Sequence, residues 1–409
     1  MATAAVTEPE QLSSGVADLA IVEKPQEAGP PADHTTTSTG DKSTAAEEPA
    51  ATKQEEEAAK EELPSLVKVL FPVPTPSSKP APHHELTPEQ TTKYEQILKV
   101  VSEWTEVPKS SGRNAPKEPI TDEDRMFLTK ECLLRYLRAT KWNVTETPKR
   151  LLATLTWRRE YGLPFTADYI SPEMETGKEM IFGFDNEGRP CLHLNPGRQN
   201  TARSDRQLHA LVYMLERVVD LMPPGQETLA LLVNFKGTPP GGGSSVGQGR
   251  EVLRILQGHY PERLGKALVN DLPWYITTFF KLVSPFIDPV TKTKMIFGPD
   301  IPAYIPKEQL PTDLKGDVAF EYDHAAYWPA LTALCETRRK EQRERWETRG
   351  KKIGESEFYL RGGEDAQTEE VKEVKDVKDV KESESVTPQP ETTAAKVEEG
   401  EAPKSEPMQ

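Results

Sequence analysis

From Pro88 onward the apolar residues recur at helical spacing: Tyr94, Ile97, Leu98 and Val101 fall at i, i+3, i+4 and i+7 and share one face. Leu133, Leu134 and Leu137 extend the helical pattern. Thr145, followed by Glu146, Thr147 and Pro148, marks the start of a further helix through Leu151, Leu155 and Trp157, which Gly162 should end. Residues 88–165 are therefore expected to form an all-helical lobe. The period then changes. Residues 180–184 (MIFGF) and 190–194 (PCLHL) flank the turn sequence DNEGR, the signature of a hairpin. Strands then alternate with helices. The pattern predicts helices at 205–222, 249–258 and 274–283, and strands at 229–235, 266–271 and 294–297. This order predicts an α/β fold over 166–331, with a mainly parallel sheet covered by helices.

Both ends read differently. Residues 1–85 are rich in Ala, Glu, Thr, Ser and Pro without periodicity, so too little apolar surface exists to offset the entropy of ordering, and a disordered acidic tail and linker is expected. Only Ser65–Pro74 (SLVKVLFPVP) breaks the pattern; a Pro-rich linker is favoured there over a docking strand. The stretch 327–349 looks helical, and its arginines alternate with Glu336, Glu341, Glu344 and Glu347. A solvated charged helix over 332–361 is favoured over a basic membrane patch. Residues 362–409, with the run VKEVKDVKDVKE, read as a second disordered acidic tail.

Composition agrees with this division. With 37 prolines and 35% hydrophobic residues in 409, and a mean hydropathy of -0.64, the chain is too polar to pack throughout. The net charge of -15 is concentrated in the two tails, which leaves a near-neutral body able to approach an anionic membrane. The first residues carry neither a basic start nor an apolar core, and no apolar run approaches the roughly 20 residues that span a bilayer. A cytoplasmic protein in peripheral contact with membranes such as the endoplasmic reticulum, plasma membrane or lipid droplets is expected. Cys132, Cys191 and Cys335 are too few and too scattered for a disulfide framework or a metal cluster, and read as reduced and mostly buried.

The sequence carries little that catalysis needs. The glycine-rich stretch Gly237–Arg250 lies between a strand and a helix, where a phosphate loop would sit, but lacks the terminal lysine and hydroxyl and reads as a long surface loop. No GxSxG elbow or HExxH pair occurs. The histidines are dispersed: His83 and His84 sit in a linker, while His193 and His209 read as packed or half-exposed. No aromatic-basic ribbon points to nucleic acid. No catalytic residue, metal or cofactor is expected.

Two segments mix ionic and apolar character, His259–Lys266 (HYPERLGK) and Ser284–Lys294 (SPFIDPVTKTK). Between them, the aromatic helix at 274–283 places Trp274, Phe279 and Phe280 either along a cavity or against the sheet; packing is favoured on spacing alone. Together with LLRYLRATKW (133–142), DNEGRP (185–190), YPERLGK (260–266) and DPVTKTK (288–294), these segments resemble the CRAL-TRIO lipid-binding family, specifically the fungal phosphatidylinositol transfer proteins. The resemblance spans about 125–331. PGRQNT (196–201), MPPGQE (222–227) and YWPAL (327–331) are similar to the branch linked to azole resistance and sterol binding.

The resemblance implies a non-enzymatic carrier whose pocket encloses lipid tails behind a movable helix at 273–283. It also implies that Glu262, Thr291 and Lys294 hold an inositol-phosphate headgroup, the lysine supplying charge, the threonine a hydroxyl and the glutamate an acceptor. Burying a lipid chain is worth about 0.8 kcal/mol per CH₂, so an apolar cavity must replace the membrane during transit. Two positions depart from the family pattern. Thr140 stands where many relatives have a second arginine, which loses one phosphate contact or passes it to Lys141. Leu229 and Leu231 stand where choline-lipid carriers place small hydroxyl residues, so a choline phosphate would be buried unpaired. An all-carbon wall suits a sterol instead. The expected cargo is phosphatidylinositol with a sterol. The rival is a lipid-sensing scaffold in phosphoinositide signalling whose acidic tails recruit a kinase or trafficking partner; an α/β hydrolase or NTPase rests only on fold class and the glycine loop.

Overall fold

The computed structural model describes residues 65–82, 85–240 and 245–364. The acidic tails, His83, His84 and the centre of the glycine-rich stretch lie outside the described residues.

The first lobe contains α1 (Pro88–Ser102), β1 (Glu106–Pro108), β2 (Lys117–Pro119), α2 (Asp122–Phe127), α3 (Lys130–Ala139) and α4 (Glu146–Glu160). The face anticipated from spacing forms its core: Ile97 and Val101 of α1 pack with Leu133 and Leu137 of α3 and Leu151 and Leu155 of α4. The lobe is not all-helical, because β1 and β2 pair as an antiparallel ribbon. Prolines at 108, 116 and 119 exclude helix here and suit a short edge ribbon. The start of α4 is also made differently from the sequence reading. Asn143 Oδ1, not the Thr145 side chain, accepts the amides of Thr145 and Glu146. Gly162, at φ 82°, ends the helix as expected.

The second lobe contains α5 (Ala167–Met174), β3 (Glu179–Phe184), β4 (Pro190–Leu194), α6 (Asp205–Asp220), β5 (Leu229–Asn234), α7 (Val246–His259), β6 (Leu264–Asn270), α8 (Trp274–Val283), α9 (Pro289–Thr293) and β7 (Met295–Phe297). The strands lie in sequence order, β3 antiparallel to β4 and the rest parallel, which is the α/β architecture the sequence implied. Side-chain alternation divides the sheet into two apolar faces. Cys191, Ala230, Leu232 and Leu268 pack under the short 3₁₀ turns of 301–314. Leu192, Leu229 and Leu231 face α6, and Val233, Phe235 and Val269 meet α8 through Ile276. Helix α7 starts three residues before the expected position, because Ser245 and Gln248 form a capping box that draws VGQ into the first turn. All three cysteines are free and buried.

Two further segments close the molecule, and both depart from the sequence reading. Ser65–Pro74 is not a linker: Val67 pairs with Phe320, Leu70 is buried, and Phe71 lies 5.2 Å from Phe182 of the edge strand β3. The apolar side chains of this strap supply the cover that an edge strand otherwise lacks. Residues 332–361 are likewise not a separate solvated helix. Helix α10 (His324–Thr348) begins in the second lobe, where Tyr327, Leu331 and Cys335 are buried, and ends beside α2, where Trp346 packs with Tyr359, Leu360 and Met126. The chain then returns through α11 (Glu357–Leu360).

That return delivers the buried Glu357 to a cluster of arginines. Its carboxylate receives hydrogen bonds from Arg135 of α3 and Arg361, and from the hydroxyl of Thr129, while Arg263 lies 3.8 Å away. Arg135 also reaches Glu227 at 2.8 Å. Burial opposes the charge on Glu357, but the guanidinium groups of Arg135, Arg361 and Arg263 hold its carboxyl well below the ordinary range. Replacing Glu357 by Ala leaves those guanidiniums without their shared counter-charge and is expected to cost about 3–5 kcal/mol. The exposed pair of Glu251 with Arg254 is worth less than about 1 kcal/mol. Urea unfolding of E357A beside E251A measures the difference; equal small losses would remove the cluster from its structural role.

Candidate functional site

The amino ends of β6 and β7, neighbours in the sheet, bring the anticipated polar residues to one edge. Glu262 stands two residues before β6, in the turn Tyr260-Pro-Glu-Arg263, with φ at 60°. This left-handed conformation costs a non-glycine residue roughly 1–2 kcal/mol, so the position holds a carboxylate at the expense of backbone comfort. The carboxylate lies 3.9 Å from Arg138 of α3. Its partner is therefore neither Arg263 nor Lys266, the neighbours that sequence proximity would pair with it. Lys294 caps the C-terminus of α9 immediately before β7, and its Nζ donates to the carbonyl of Leu264, 2.6 Å away. Thr291 donates its hydroxyl to Asp288, which also accepts the Thr291 amide at 2.8 Å. Burial works against the charge of Asp288, and the Thr291 bonds overcome it, holding the carboxyl below its usual range. Lys294 is thus tied to the strand that follows Glu262, and Thr291 to the helix that Lys294 caps.

Thr140 and Lys141 close α3 but differ in availability. The Thr140 hydroxyl shares a hydrogen bond with Thr147 at 2.6 Å and donates to the Tyr136 carbonyl, as a C-capping residue does. It is occupied by the helix end. Lys141 is exposed with φ at 53°. The arginine beside this edge is Arg138, which bridges Glu262 and Glu227. Sequence reasoning passed over it, although it stands inside the LLRYLRATKW stretch.

The apolar positions divide three ways. Leu229 is buried and Leu231 half-buried on the face under α6. Phe280 meets Phe235, Phe279 and Phe297 edge-to-face at 5.6–6.2 Å, and Phe279 rests on Gly249 of α7, where a Cβ would stand 3.0 Å from the ring. Trp274 lines no pocket, being 81% exposed. Two residues along a helix turn the side chain by about 200°, so Trp274 points away from the buried Ile276. The outer side of α8 exposes Trp274 and Leu282 together with Thr278 and Lys281, and the stretch from there to β7 exposes Phe286 and Val290 beside Lys292 and Thr293, with Phe297 exposed at the end of β7. Lys281 is the only charged residue in α8.

One polar group on the covered face carried no sequence signal. Register places Glu179 in a row with Leu194, Val233, Val269 and Phe297. Its Oε2 is buried without a hydrogen-bond partner, and burial pushes the carboxyl up to about 7. His193 and His209 are structural in setting. Nε2 of His193 bonds the Phe182 carbonyl at 2.9 Å, and burial lowers its pKa to about 4; His209 stacks on Phe165. Among the described residues no cluster of His, Cys, Asp or Glu has metal-ligand geometry, and no helix is long and apolar enough to cross a membrane.

Comparison with known proteins gives this arrangement a context. Residues 93–153 match the family model of the CRAL/TRIO N-terminal domain and residues 174–316 that of the CRAL/TRIO domain. The chain is 49% identical over 297 residues to the CRAL-TRIO domain-containing protein C23B6.04c of Schizosaccharomyces pombe, covering 72% of this chain but only 29% of that protein. It is 35% identical over 325 residues to the phosphatidylinositol transfer protein PDR17 of Saccharomyces cerevisiae, covering 75% of this chain and 93% of that protein. The SEC14 cytosolic factor of Candida glabrata matches at 30% over 226 residues, 47% of this chain and 72% of that one. Among solved structures, the crystal structure of Sfh5 aligns with a TM-score of 0.38 at 15% identity, covering 53% of this chain and 83% of that chain.

The site's geometry leads to two expected outcomes. Glu262→Gly removes the left-handed strain, worth roughly 1 kcal/mol, at a similar entropic cost in the unfolded chain. Its melting temperature should match or exceed that of the wild type; a fall of several degrees in calorimetry would make the Arg138 pair structural. Glu179 binds its proton more tightly folded than unfolded. Its contribution is therefore full below the unfolded value of 4.5 and is lost as pH rises through about 7. Glu179→Gln should leave the protein more stable than wild type at pH 8, by about 1–3 kcal/mol, and little changed at pH 4. Parallel denaturation curves at the two pH values test this.

Proposed function

The chain belongs to the CRAL-TRIO family, and from that premise we propose that it carries phosphatidylinositol, and with it a sterol, between membranes without altering either. The observation that carries this reading is α8, an almost uncharged helix that covers an apolar sheet face while exposing Trp274 and Leu282 outward. A surface helix that turns a tryptophan and a leucine to solvent as well as an apolar side to the sheet is suited to contact with lipid. Its inner side, through Ile276 and Phe280, covers the sheet. Its outer side sets Trp274 and Leu282 beside Thr278 and Lys281, a mix of aromatic, apolar and basic groups suited to the membrane interface. Movement of α8 at a bilayer would open the sheet face to acyl chains, and its return would seal them from water.

In this reading the headgroup lies at the amino ends of β6 and β7. Lys294 exchanges the Leu264 carbonyl for the phosphate, Thr291 offers its hydroxyl, and Glu262 accepts from inositol hydroxyls. Lys141 adds charge at the rim, whereas Thr140, engaged in the α3 cap, contributes shape. The alkyl side chains of Leu229 and Leu231 offer nothing to a choline phosphate, which would lose several kcal/mol of hydration without compensation. They present no such obstacle to a sterol. The relative PDR17 is named for phosphatidylinositol transfer, and this chain covers nearly all of it. The site of action is peripheral, at cytoplasmic membrane surfaces.

The combined variant Glu262→Ala with Lys294→Ala is expected to reduce transfer of radiolabelled phosphatidylinositol between vesicles to background while sparing uptake of radiolabelled sterol. Wild-type protein should move little phosphatidylcholine. Efficient choline-lipid transfer would refute the cargo assignment, and joint loss of inositol lipid and sterol would assign the pair to folding.

A further inference from the structure

A cavity of about 120 Å³ lies between the two lobes, behind the turn that carries Glu262. By volume it has room for several water molecules, and so for an oxyanion of phosphate or sulfate size. Its wall includes Arg135, Arg263 and Arg361, together with Glu216, Glu357 and Tyr260. Glu262, Thr291 and Lys294 do not line it.

The charges around this cavity do not close. Glu216 is fully engaged: Arg158 grips both its oxygens at 2.8 and 3.1 Å, and the Tyr260 hydroxyl donates to it at 2.6 Å. Arg158 holds its carboxyl down to about 2 against the effect of burial. Glu357 pairs with Arg135 and Arg361 and lies 3.8 Å from Arg263. The second carboxylate on Arg135, Glu227, is shared with Arg138 at 3.1 Å. Glu131 lies next to Glu357, accepting its amide and the Ser356 hydroxyl, but burial and the Glu357 charge raise its pKa and weaken it as a counter-ion.

Arg263 is left with the poorest match. Its hydrogen bonds go to the Glu227 carbonyl at 2.9 Å and the Met222 sulfur at 3.7 Å, and its nearest carboxylate oxygen is 3.8 Å away. Burial, followed by the charge of Arg135, lowers its pKa to about 10. A buried guanidinium short of counter-charge is costly, and its planar fork is shaped for an oxyanion.

We propose that this cavity is a binding site for a free oxyanion of phosphate size, held chiefly by Arg263 with Arg361 and Arg135. The site goes beyond the carrier reading and does not depend on it. An anion here would lie against Tyr260, Pro261 and Arg263, and so against the base of the turn that presents Glu262.

Isothermal titration of the full chain with sodium phosphate, at ionic strength held constant with sodium chloride, tests the proposal. The wild type should show saturable binding; Arg263→Met should weaken it about tenfold or more; Lys294→Ala should leave it unchanged. Absence of saturable binding in the wild type overturns the proposal. So does loss in Lys294→Ala with retention in Arg263→Met, which would place the phosphate in the headgroup site. A measurement that needs no variant guards against misfolding of Arg263→Met. Wild-type crystals soaked in sodium selenate should give an anomalous selenium peak within the cavity; peaks only elsewhere refute the site.

Discussion

Three guanidinium groups sharing the carboxylate of Glu357 set the constraint on which the rest of the molecule depends. Arg135 comes from the helical lobe, Arg263 from the entry to β6, and Arg361 from the end of the returning C-terminal segment. The shared anion therefore ties together three stretches of chain, alongside the apolar contacts of Leu360 with Met126 and of Trp157 with Val212. Its burial magnifies both the attraction and the penalty for losing a partner. The same contact fixes the polar edge, since Arg263 follows Glu262 directly and Arg138, one helical turn after Arg135, faces Glu262. Position and charge at that edge thus descend from an interaction buried behind it.

The second organising tension lies between the sheet and α8. A parallel sheet requires cover on both faces. On one face the cover is fixed, by the short turns of 301–314 bearing Ile301, Ile305, Leu310 and Leu314. On the other, α6 is anchored through its long apolar side in the main core, whereas α8 touches the sheet through only a few residues and leaves Trp274 and Leu282 in solvent. Local stability tracks the amount of buried apolar contact, so α8 is the element of this layer best suited to move without disturbing the core.

Much of this was legible in the sequence because periodicity reports which face is buried. The α1 stripe, the hairpin around DNEGR and the alternation after Asp205 all appear where spacing put them. Failures cluster where long-range chemistry outweighs local pattern. Leu70 and Phe71 looked like linker residues because the edge strand they cover is more than 100 residues away in sequence. The C-terminal helix looked solvated because its i,i+4 charges masked the burial of Trp346 and Cys335. Trp274 was grouped with Phe279 and Phe280 by aromatic character, whereas the helical angle separates them. At the polar edge, Glu262 precedes β6 while Thr291 and Lys294 precede the neighbouring β7, but spacing could not reveal that Arg138 faces the glutamate. Glu179 was invisible for a different reason: an acidic residue at a strand start normally reads as solvent-facing, and only register puts it in an apolar row.

The hydrogen bond from Lys294 to the Leu264 carbonyl has a kinetic meaning. An unloaded carrier with a bare buried ammonium would be trapped by the first anionic headgroup it met, because escape would restore the full desolvation cost. Here the ammonium has a resting acceptor and the Thr291 hydroxyl has Asp288, so under the proposed carrier reading capture would exchange one satisfied arrangement for another. Under that reading the free-energy difference between empty and loaded states would be kept small and release would stay fast. For a shuttle, throughput depends on that reversibility more than on tight binding.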